Sequence, residues 1–280
     1  MKKLLRIAFM LGLIATILCG AQFIQVFPGI IQSAMFDSAI RNRPLPKGVE
    51  SRFVTTSDGI EIEVWRKPSQ VTPVGGPPRV VLFFHGNGNT LFSAFRLQEW
   101  LSELGFTAYA VEWRGYGRSG GWPYETGLYR DAEAAFTYIA EREKISPDKL
   151  TVVGYSLGSA PAAYLAAKIQ PKALVLLAPF ASIQSVLKQH PMLKYIRSAV
   201  RLYRFPVSEY VAKLTKTCLV VVTGGEDKVL PSKQGDEVIA AYHGELPAKR
   251  VHSELATHND LFVRTKTQLG EAINGCVGAL

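Results

Sequence analysis

The chain has 280 residues, of which 48% are apolar and 20% are charged, so it can bury a large core, and general disorder is excluded. Its formal net charge of +9 would suit nucleic acid or an anionic membrane surface, but the basic residues are scattered and no nucleic-acid motif accompanies them. The three cysteines form no C-x-x-C pair, which argues against a zinc site, while a single Cys218–Cys276 bridge stays open. We therefore expect one α/β domain with a short extra segment, close to a membrane rather than bound to nucleic acid.

Residues 1–36 are predicted to form a membrane anchor or a signal segment. Basic residues precede an apolar run, 7–27, that is long enough to span a bilayer. The alternative is a signal peptide, because small residues suit cleavage after Ala21 and would lead to secretion. The apolar run continues beyond Ala21, which favours a retained anchor, and the basic N-terminus would stay in the cytoplasm and place the remaining chain outside it. A linker, residues 37–51, is predicted to follow.

Beyond the linker, apolar strands alternate with amphipathic helices. The predicted strands are 52–56, 59–66, 80–84, 106–112, 150–153, 173–177, 218–222 and 249–253. The predicted helices are 91–104, 126–142, 160–167, one near 233–242 and one that begins near Asn259. This alternation indicates an α/β fold with a mostly parallel central sheet and helices on both faces. Residues 52–280 would form this domain, and short amphipathic pieces at about 181–215 predict a small helical cap.

The segment Gly154-Tyr155-Ser156-Leu157-Gly158 stands between a predicted strand and a predicted alanine-rich helix. G-x-S-x-G in this context is typical of a nucleophile elbow, a tight turn that presents serine at the C-terminal edge of a sheet. A glycine- and serine-rich turn without a catalytic role is the alternative. Ser156 is therefore a candidate nucleophile.

A serine nucleophile needs a base, and the base needs an orienting carboxylate. Asp227 and His258 each follow a later predicted strand, which gives the chain order serine, aspartate, histidine. Glu226 is the rival carboxylate, and a turn or helix cap is the alternative role for Asp227. Three other histidines lie towards the C-terminus: His190 in the predicted cap, His243 at the end of a predicted surface helix and His252 within the last predicted strand.

The segment His85-Gly86-Asn87-Gly88-Asn89 follows the strand 80–84, where an oxyanion donor is expected. The backbone N–H groups of Asn87 and Leu157 are predicted to face the carbonyl oxygen of a substrate. A simple Gly/Asn turn is the alternative. The residues predicted to contact substrate are His85, Gly86, Gly88 and Tyr155.

These motifs, together with Arg114-Gly-Tyr-Gly-Arg-Ser119, Ala178-Pro-Phe180, Gly225-Glu-Asp227 and His258-Asn259, resemble the α/β-hydrolase superfamily. They are most similar to its membrane-tethered branch, which includes serine esterases and protein depalmitoylases. The resemblance covers roughly residues 52–280. It implies the α/β-hydrolase fold, the triad Ser156, Asp227 and His258, and Asn87 and Leu157 as oxyanion donors. One departure is Glu112-Trp113, where relatives often carry Asp-Tyr, and it affects packing and a buried charge pair.

The expected activity is hydrolysis of carboxylic ester or thioester bonds through an acyl-enzyme, without a metal or organic cofactor. The expected partners are an acyl substrate and, through the N-terminal segment, membrane lipid. The alternatives are a catalytically silent, membrane-anchored binding protein on the same scaffold, and a peptidase of the same fold. Basic residues of the predicted cap could meet anionic lipid or an acidic substrate, or could simply be solvated.

Overall fold

The computed structural model describes residues 44–71, 79–189 and 203–278. The predicted anchor or signal segment, residues 1–36, and the middle of the predicted cap, residues 190–202, lie outside the described residues. Among the residues that are described, no helix combines the length and the apolar character needed to cross a membrane.

Eight strands form one sheet. They are β1 Glu50–Thr55, β2 Glu61–Lys67, β3 Arg79–Phe84, β4 Phe106–Val111, β5 Leu150–Tyr155, β6 Ala173–Leu177, β7 Cys218–Gly224 and β8 Lys249–Ser253. Their spatial order is β1-β2-β4-β3-β5-β6-β7-β8. The β1–β2 and β2–β4 pairs are antiparallel and all other neighbours are parallel. The prediction of a mostly parallel sheet is confirmed.

The burial of the strands follows from their composition. The aliphatic runs of β5, β6 and β7 are buried almost throughout, as expected for strands with helices on both faces. Strand β1 at the sheet edge mixes exposed and partly buried residues. Each predicted strand is present, and its observed ends differ from the predicted ones by no more than two residues.

Seven α-helices lie among the described residues. They are α1 Leu91–Glu103, α2 Glu125–Glu143, α3 Ser159–Ile169, α4 Ile183–Gln189, α5 Val207–Val211, α6 Ser232–Ala240 and α7 Leu261–Val277. Helices α1 and α7 pack against one face of the sheet, where they form a core cluster with every second strand side chain, Phe83 and Val153 among them. Helices α2, α3 and α6 contact the strands without joining that cluster, so they cover the other face.

The described parts of the predicted cap are α4 and α5. Helix α5 packs against α3 and α6. The cap as a whole stays a prediction, because its middle lies outside the described residues.

A disulfide joins Cys218, at the start of β7, to Cys276, near the end of α7. The two Cα atoms are 5.7 Å apart, and 58 positions separate the residues in the sequence. The bridge that the sequence left open is therefore present, and it ties the last helix to the sheet.

The parallel strands bring distant loops to one edge. Their C-terminal ends meet on the same side of the sheet, which is where open α/β sheets carry their sites. The loops after β3, β5, β7 and β8 leave from this edge.

Candidate active site

Ser156 occupies a sharp turn between a strand and a helix. Strand β5 ends at Tyr155, one 3₁₀ turn covers Ser156–Gly158, and α3 begins at Ser159. The backbone φ of Ser156 is +52°, a left-handed conformation that is unfavourable for residues with a side chain. Such strain persists where the surrounding structure fixes it, and it is common at functional sites.

The glycines of the motif are required by packing. A Cβ atom added to Gly158 would overlap the carbonyl oxygen of Phe84 in β3. A Cβ added to Gly154 would lie 2.6 Å from the carbonyl oxygen of Gly158. The turn can therefore pass between strand and helix only with glycine on both sides of Ser156.

Three predicted side chains meet at the C-terminal edge of the sheet. The Nε2 atom of His258 is 3.1 Å from the Oγ of Ser156. The Nδ1 atom of His258 is 2.8 Å from the Oδ2 of Asp227. Because an ionised carboxylate only accepts hydrogen bonds, Nδ1 carries a proton and Nε2 of the neutral ring is left to accept the serine proton. The arrangement can move a proton from a serine hydroxyl to an imidazole.

The loop after β7 holds Asp227 in place. Its second oxygen, Oδ1, accepts the backbone N–H groups of Val229 at 2.9 Å and Leu230 at 2.8 Å. The carboxylate is buried, while the His258 side chain is 13% exposed and so can reach substrate. The rival carboxylate, Glu226, is exposed and the structure does not bring it to His258.

The other late histidines lie elsewhere. His243 is exposed, and the Nδ1 of His252 is 2.8 Å from the hydroxyl of Thr223. His190 lies outside the described residues.

Tyr155, which the sequence predicted to contact substrate, also supports His258. Its hydroxyl donates to the backbone carbonyl of His258 at 2.6 Å, and the two rings lie 5.5 Å apart. Burial, with smaller contributions from the charges of Asp227 and Asp260, raises the pKa of Tyr155 to about 12. The hydroxyl is therefore protonated at neutral pH and available as a donor.

A pocket of about 340 Å³ opens in front of Ser156, within the usual size range of small-molecule sites. Ser156, His258 and Tyr155 form part of its lining. Its apolar wall consists of Phe83, Ala94, Leu97, Leu177, Phe262 and Val263. The pocket can take an apolar group next to the serine.

The predicted oxyanion residues border the same site. Asn87 lines the pocket, and its side-chain oxygen accepts the hydroxyl of Tyr116 at 2.6 Å. Leu157 lies in the turn that leads into α3, where backbone N–H groups have no acceptor within the helix. A Cβ on Gly86 would lie 3.1 Å from the Cβ of Ser156, so this loop passes close to the serine.

The other two residues predicted to contact substrate differ in position. Gly88 lies between Asn87 and Asn89, which both line the pocket, and it has a left-handed φ of +70°; its contact with substrate stays a prediction. His85 is fully buried; its Nδ1–H donates to the carbonyl of Gly86 at 2.8 Å, and its Nε2 is 2.9 Å from Oε1 of Glu112. The structure thus places His85 beneath the loop rather than in the pocket.

Glu112, which the sequence assigned to packing and a buried charge pair, also supports the loop after β3, a role that the sequence did not predict. Its other oxygen accepts the backbone N–H of Leu91, the first residue of α1. The carboxylate thereby joins the end of β4, the oxyanion loop and the start of α1. A glutamate that ends an otherwise apolar strand was the available signal, because a buried carboxylate needs partners.

Within the residues that the structure describes, no group of three or more histidine, cysteine, aspartate or glutamate side chains is placed to hold a metal ion.

Comparisons with known proteins give the family. A sequence model of the family described as "alpha/beta hydrolase fold" matches residues 79–197. The Mycobacterium tuberculosis protein named "Uncharacterized protein Rv2307c" is 33% identical over 217 residues, which are 77% of this chain and 74% of the relative. Protein bem46 of Schizosaccharomyces pombe is 26% identical over 242 residues, 82% of this chain and 79% of that one.

Solved structures share the fold. The Pyrococcus furiosus esterase Pf2001 superposes with a TM-score of 0.68 at 17% identity, covering 87% of this chain and 97% of its own. An acetyl xylan esterase from Paenibacillus sp. R4 gives a TM-score of 0.62 at 18% identity, with 84% and 86% covered. At such identities the likeness concerns the fold. The family match and the 33% identical relative, together with the shared fold, show that the chain belongs to the α/β-hydrolase superfamily.

Proposed function

We propose that the chain is a serine hydrolase that cleaves carboxylic ester or thioester bonds through an acyl-enzyme. The observation that carries this proposal is the continuous contact from Ser156 through His258 to Asp227, at 3.1 and 2.8 Å. The distances are those at which a base can take a proton from a nucleophile and a carboxylate can orient the base.

In the first half of the reaction, His258 removes the hydroxyl proton of Ser156 while Oγ attacks the carbonyl carbon. The imidazolium that forms is stabilised by Asp227. It then gives its proton to the leaving alcohol or thiol as the bond to the acyl carbon breaks. The acyl group remains on Ser156 as an ester.

In the second half, water replaces the leaving group. His258 takes a proton from the water, the hydroxide oxygen attacks the acyl carbon, and the carboxylic acid leaves as Oγ regains its proton. The backbone N–H groups of Asn87 and Leu157 would bind the oxyanion in both halves. The apolar wall of the pocket supports an acyl chain or another apolar group as part of the substrate.

The membrane-tethered branch and the location belong to the same proposal. We propose that residues 1–36 anchor the chain and that the catalytic domain lies outside the cytoplasm, with secretion after cleavage as the alternative. The Cys218–Cys276 disulfide supports an oxidising compartment. N-terminal sequencing of the protein from membrane and soluble fractions separates the two: an anchored chain keeps residues 1–21 in the membrane fraction.

The activity is tested by turnover. Wild type is compared with Ser156→Ala and His258→Ala on p-nitrophenyl esters and acyl thioesters of increasing chain length. Loss of about 10³-fold or more in kcat is expected in both variants. The matched controls are Ser93→Ala, a second serine of the pocket, and His252→Ala, a second histidine of the last strands, and both are expected to keep most of the rate.

Either of two results would contradict the proposal. One is full activity in Ser156→Ala. The other is a folded wild type that hydrolyses no ester or thioester, which would favour the silent binding protein. A preference for long-chain thioesters would support the depalmitoylase branch, and a preference for short oxygen esters would argue against it.

A further inference from the structure

A second cavity lies at the edge of the sheet opposite to Ser156, where the parallel strands begin. Its volume is about 470 Å³. Four cationic side chains line it, and each stands at or just before the start of a strand: Arg79 at β3, Lys149 before β5, Lys172 before β6 and Lys216 before β7. We call it the basal cavity.

The strand register explains why these residues meet. Strands β3, β5, β6 and β7 are consecutive neighbours and all parallel, so their N-terminal ends lie side by side. The backbone N–H of Lys172 donates to the carbonyl of Leu150 at 2.9 Å, and that of Cys218 donates to the carbonyl of Lys172 at 3.1 Å. Residues up to 137 positions apart in the chain are thus brought to one site.

The guanidinium of Arg79 makes fewer hydrogen bonds than it has donors. One terminal nitrogen donates to Oδ1 of Asn274 at 2.8 Å, and the guanidinium lies 4.3 Å from the centre of the Phe106 ring. The Nε atom and the other terminal nitrogen are buried without a hydrogen-bond partner. Buried guanidinium donors without an acceptor are unfavourable, so an acceptor supplied from outside the chain would be bound well here.

The charges of the basal cavity are unbalanced. Lys172 and Lys216 are exposed and make no ion pair with any described residue. The only acidic side chain among the described lining residues is Asp148, and it is already engaged with Lys149 at 3.7 Å and with the hydroxyl of Ser146. The cavity therefore carries excess positive charge next to buried donors.

We propose that the basal cavity binds a phosphate group. A guanidinium offers directed N–H donors and lysine ammonium groups add point charges, which is the combination that recognises phosphate oxygens. The phosphate group belongs either to a free phosphate compound or to the headgroup of an anionic lipid. Since the cavity and Ser156 lie at opposite sheet edges, the bound group is not a substrate of the serine.

The direct test is titration calorimetry with inorganic phosphate and with pyrophosphate, with sodium chloride used to keep ionic strength constant. Wild type is expected to show saturable binding at one site. The double variant Lys172→Gln/Lys216→Gln is expected to bind about tenfold more weakly or worse. Both lysines are exposed, so this variant should fold even if Arg79→Gln, the second variant, does not.

Lys144→Gln is the control for each of the two substitutions, because it removes one lysine charge from the connection into β5 without touching the cavity. Its affinity should equal that of wild type, and the hydrolytic rate of every variant should be unchanged. Equal weakening in Lys144→Gln would overturn the proposal, since it would indicate general charge attraction.

Vesicle flotation distinguishes the two sources. Phosphatidylcholine vesicles with and without phosphatidic acid are mixed with a chain that begins after residue 43, once circular dichroism and thermal unfolding show that this chain folds, and with its double variant. Flotation that requires both phosphatidic acid and the two lysines supports the lipid source, and calorimetric binding without flotation supports the free compound. If neither calorimetric binding nor flotation is observed, the proposal is overturned.

Discussion

The substitution Asp227→Asn tests how His258 is oriented. Asparagine keeps the size of the side chain, and the structure fixes how its amide must lie. The N–H groups of Val229 and Leu230 point at the position of Oδ1, so the amide oxygen takes that position. The amide NH₂ then faces Nδ1 of His258, which is 2.8 Å from the position of Oδ2.

This arrangement reverses the tautomer of the His258 imidazole. Nδ1 must accept a hydrogen bond from the amide, and the ring proton moves to Nε2, where it points at the Oγ of Ser156. The ring can no longer take the serine proton. In serine-protease triads the same change lowers kcat about 10⁴-fold, which is about 5 kcal/mol at 1.36 kcal/mol for each factor of ten. We expect a loss of that order here.

The assay is kcat on a p-nitrophenyl ester, with thermal unfolding measured in parallel. The variant retains three hydrogen bonds at the site, so its midpoint of unfolding should stay close to that of wild type. Glu226→Gln, a change to the exposed neighbouring carboxylate, is the control and should keep wild-type kcat. A kcat within about tenfold of wild type in Asp227→Asn would show that Asp227 does not orient His258, and so would an equal loss in Glu226→Gln.

Three further predictions concern support of the site and stability. Tyr155→Phe removes the hydrogen bond to the His258 carbonyl, so the free energy of unfolding should fall by about 1 kcal/mol and kcat should fall severalfold at constant KM; unchanged values of both would contradict this. Cys276→Ser opens the disulfide and should lower the free energy of unfolding by up to about 4 kcal/mol, measured by denaturant titration without reductant, whereas an unchanged midpoint would show that the bridge does not stabilise the fold. Hydrogen bonds from the buried guanidinium of Arg114 hold the pKa of Asp58 well below its usual range. The Asp58 carboxylate therefore stabilises the fold above the unfolded-state pKa of about 3.9, and this stabilisation is lost as the pH falls. Asp58→Asn should therefore be less stable by about 1 kcal/mol at neutral pH and should lose less stability than wild type between about pH 5 and pH 2; parallel curves for the two proteins would contradict the assignment.

Local pattern predicted the framework of the site because each part of it lies within one short segment. The aliphatic run of β5, the glycines around Ser156 and the alanines of α3 indicate strand, turn and helix without long-range information. Parallel strands place the loops after β7 and β8 at the same edge, so Asp227 and His258 follow from chain order alone.

The role of His85 could not be predicted in the same way. A histidine in a loop after a strand can turn toward solvent or toward the core, and the choice depends on a partner 27 residues away. Glu112 supplies that partner from the next strand of the sheet, so the ring turns inward. Pairing of this kind is decided by tertiary packing.

The basal cavity could likewise not be predicted from motifs, although the sequence contains a signal for it. A basic residue stands at or just before the start of each of four neighbouring strands, which are β3, β5, β6 and β7. Only the strand order shows that these starts are neighbours.

Covalent labelling tests directly whether Ser156 is the nucleophile: the mass of the protein is measured after reaction with a fluorophosphonate probe, and peptide mapping follows. We expect one adduct per chain, located on Ser156 in the tryptic peptide 150–168, and no adduct in Ser156→Ala or His258→Ala. If folded wild type carries no adduct, or carries it on another serine, Ser156 is not the nucleophile.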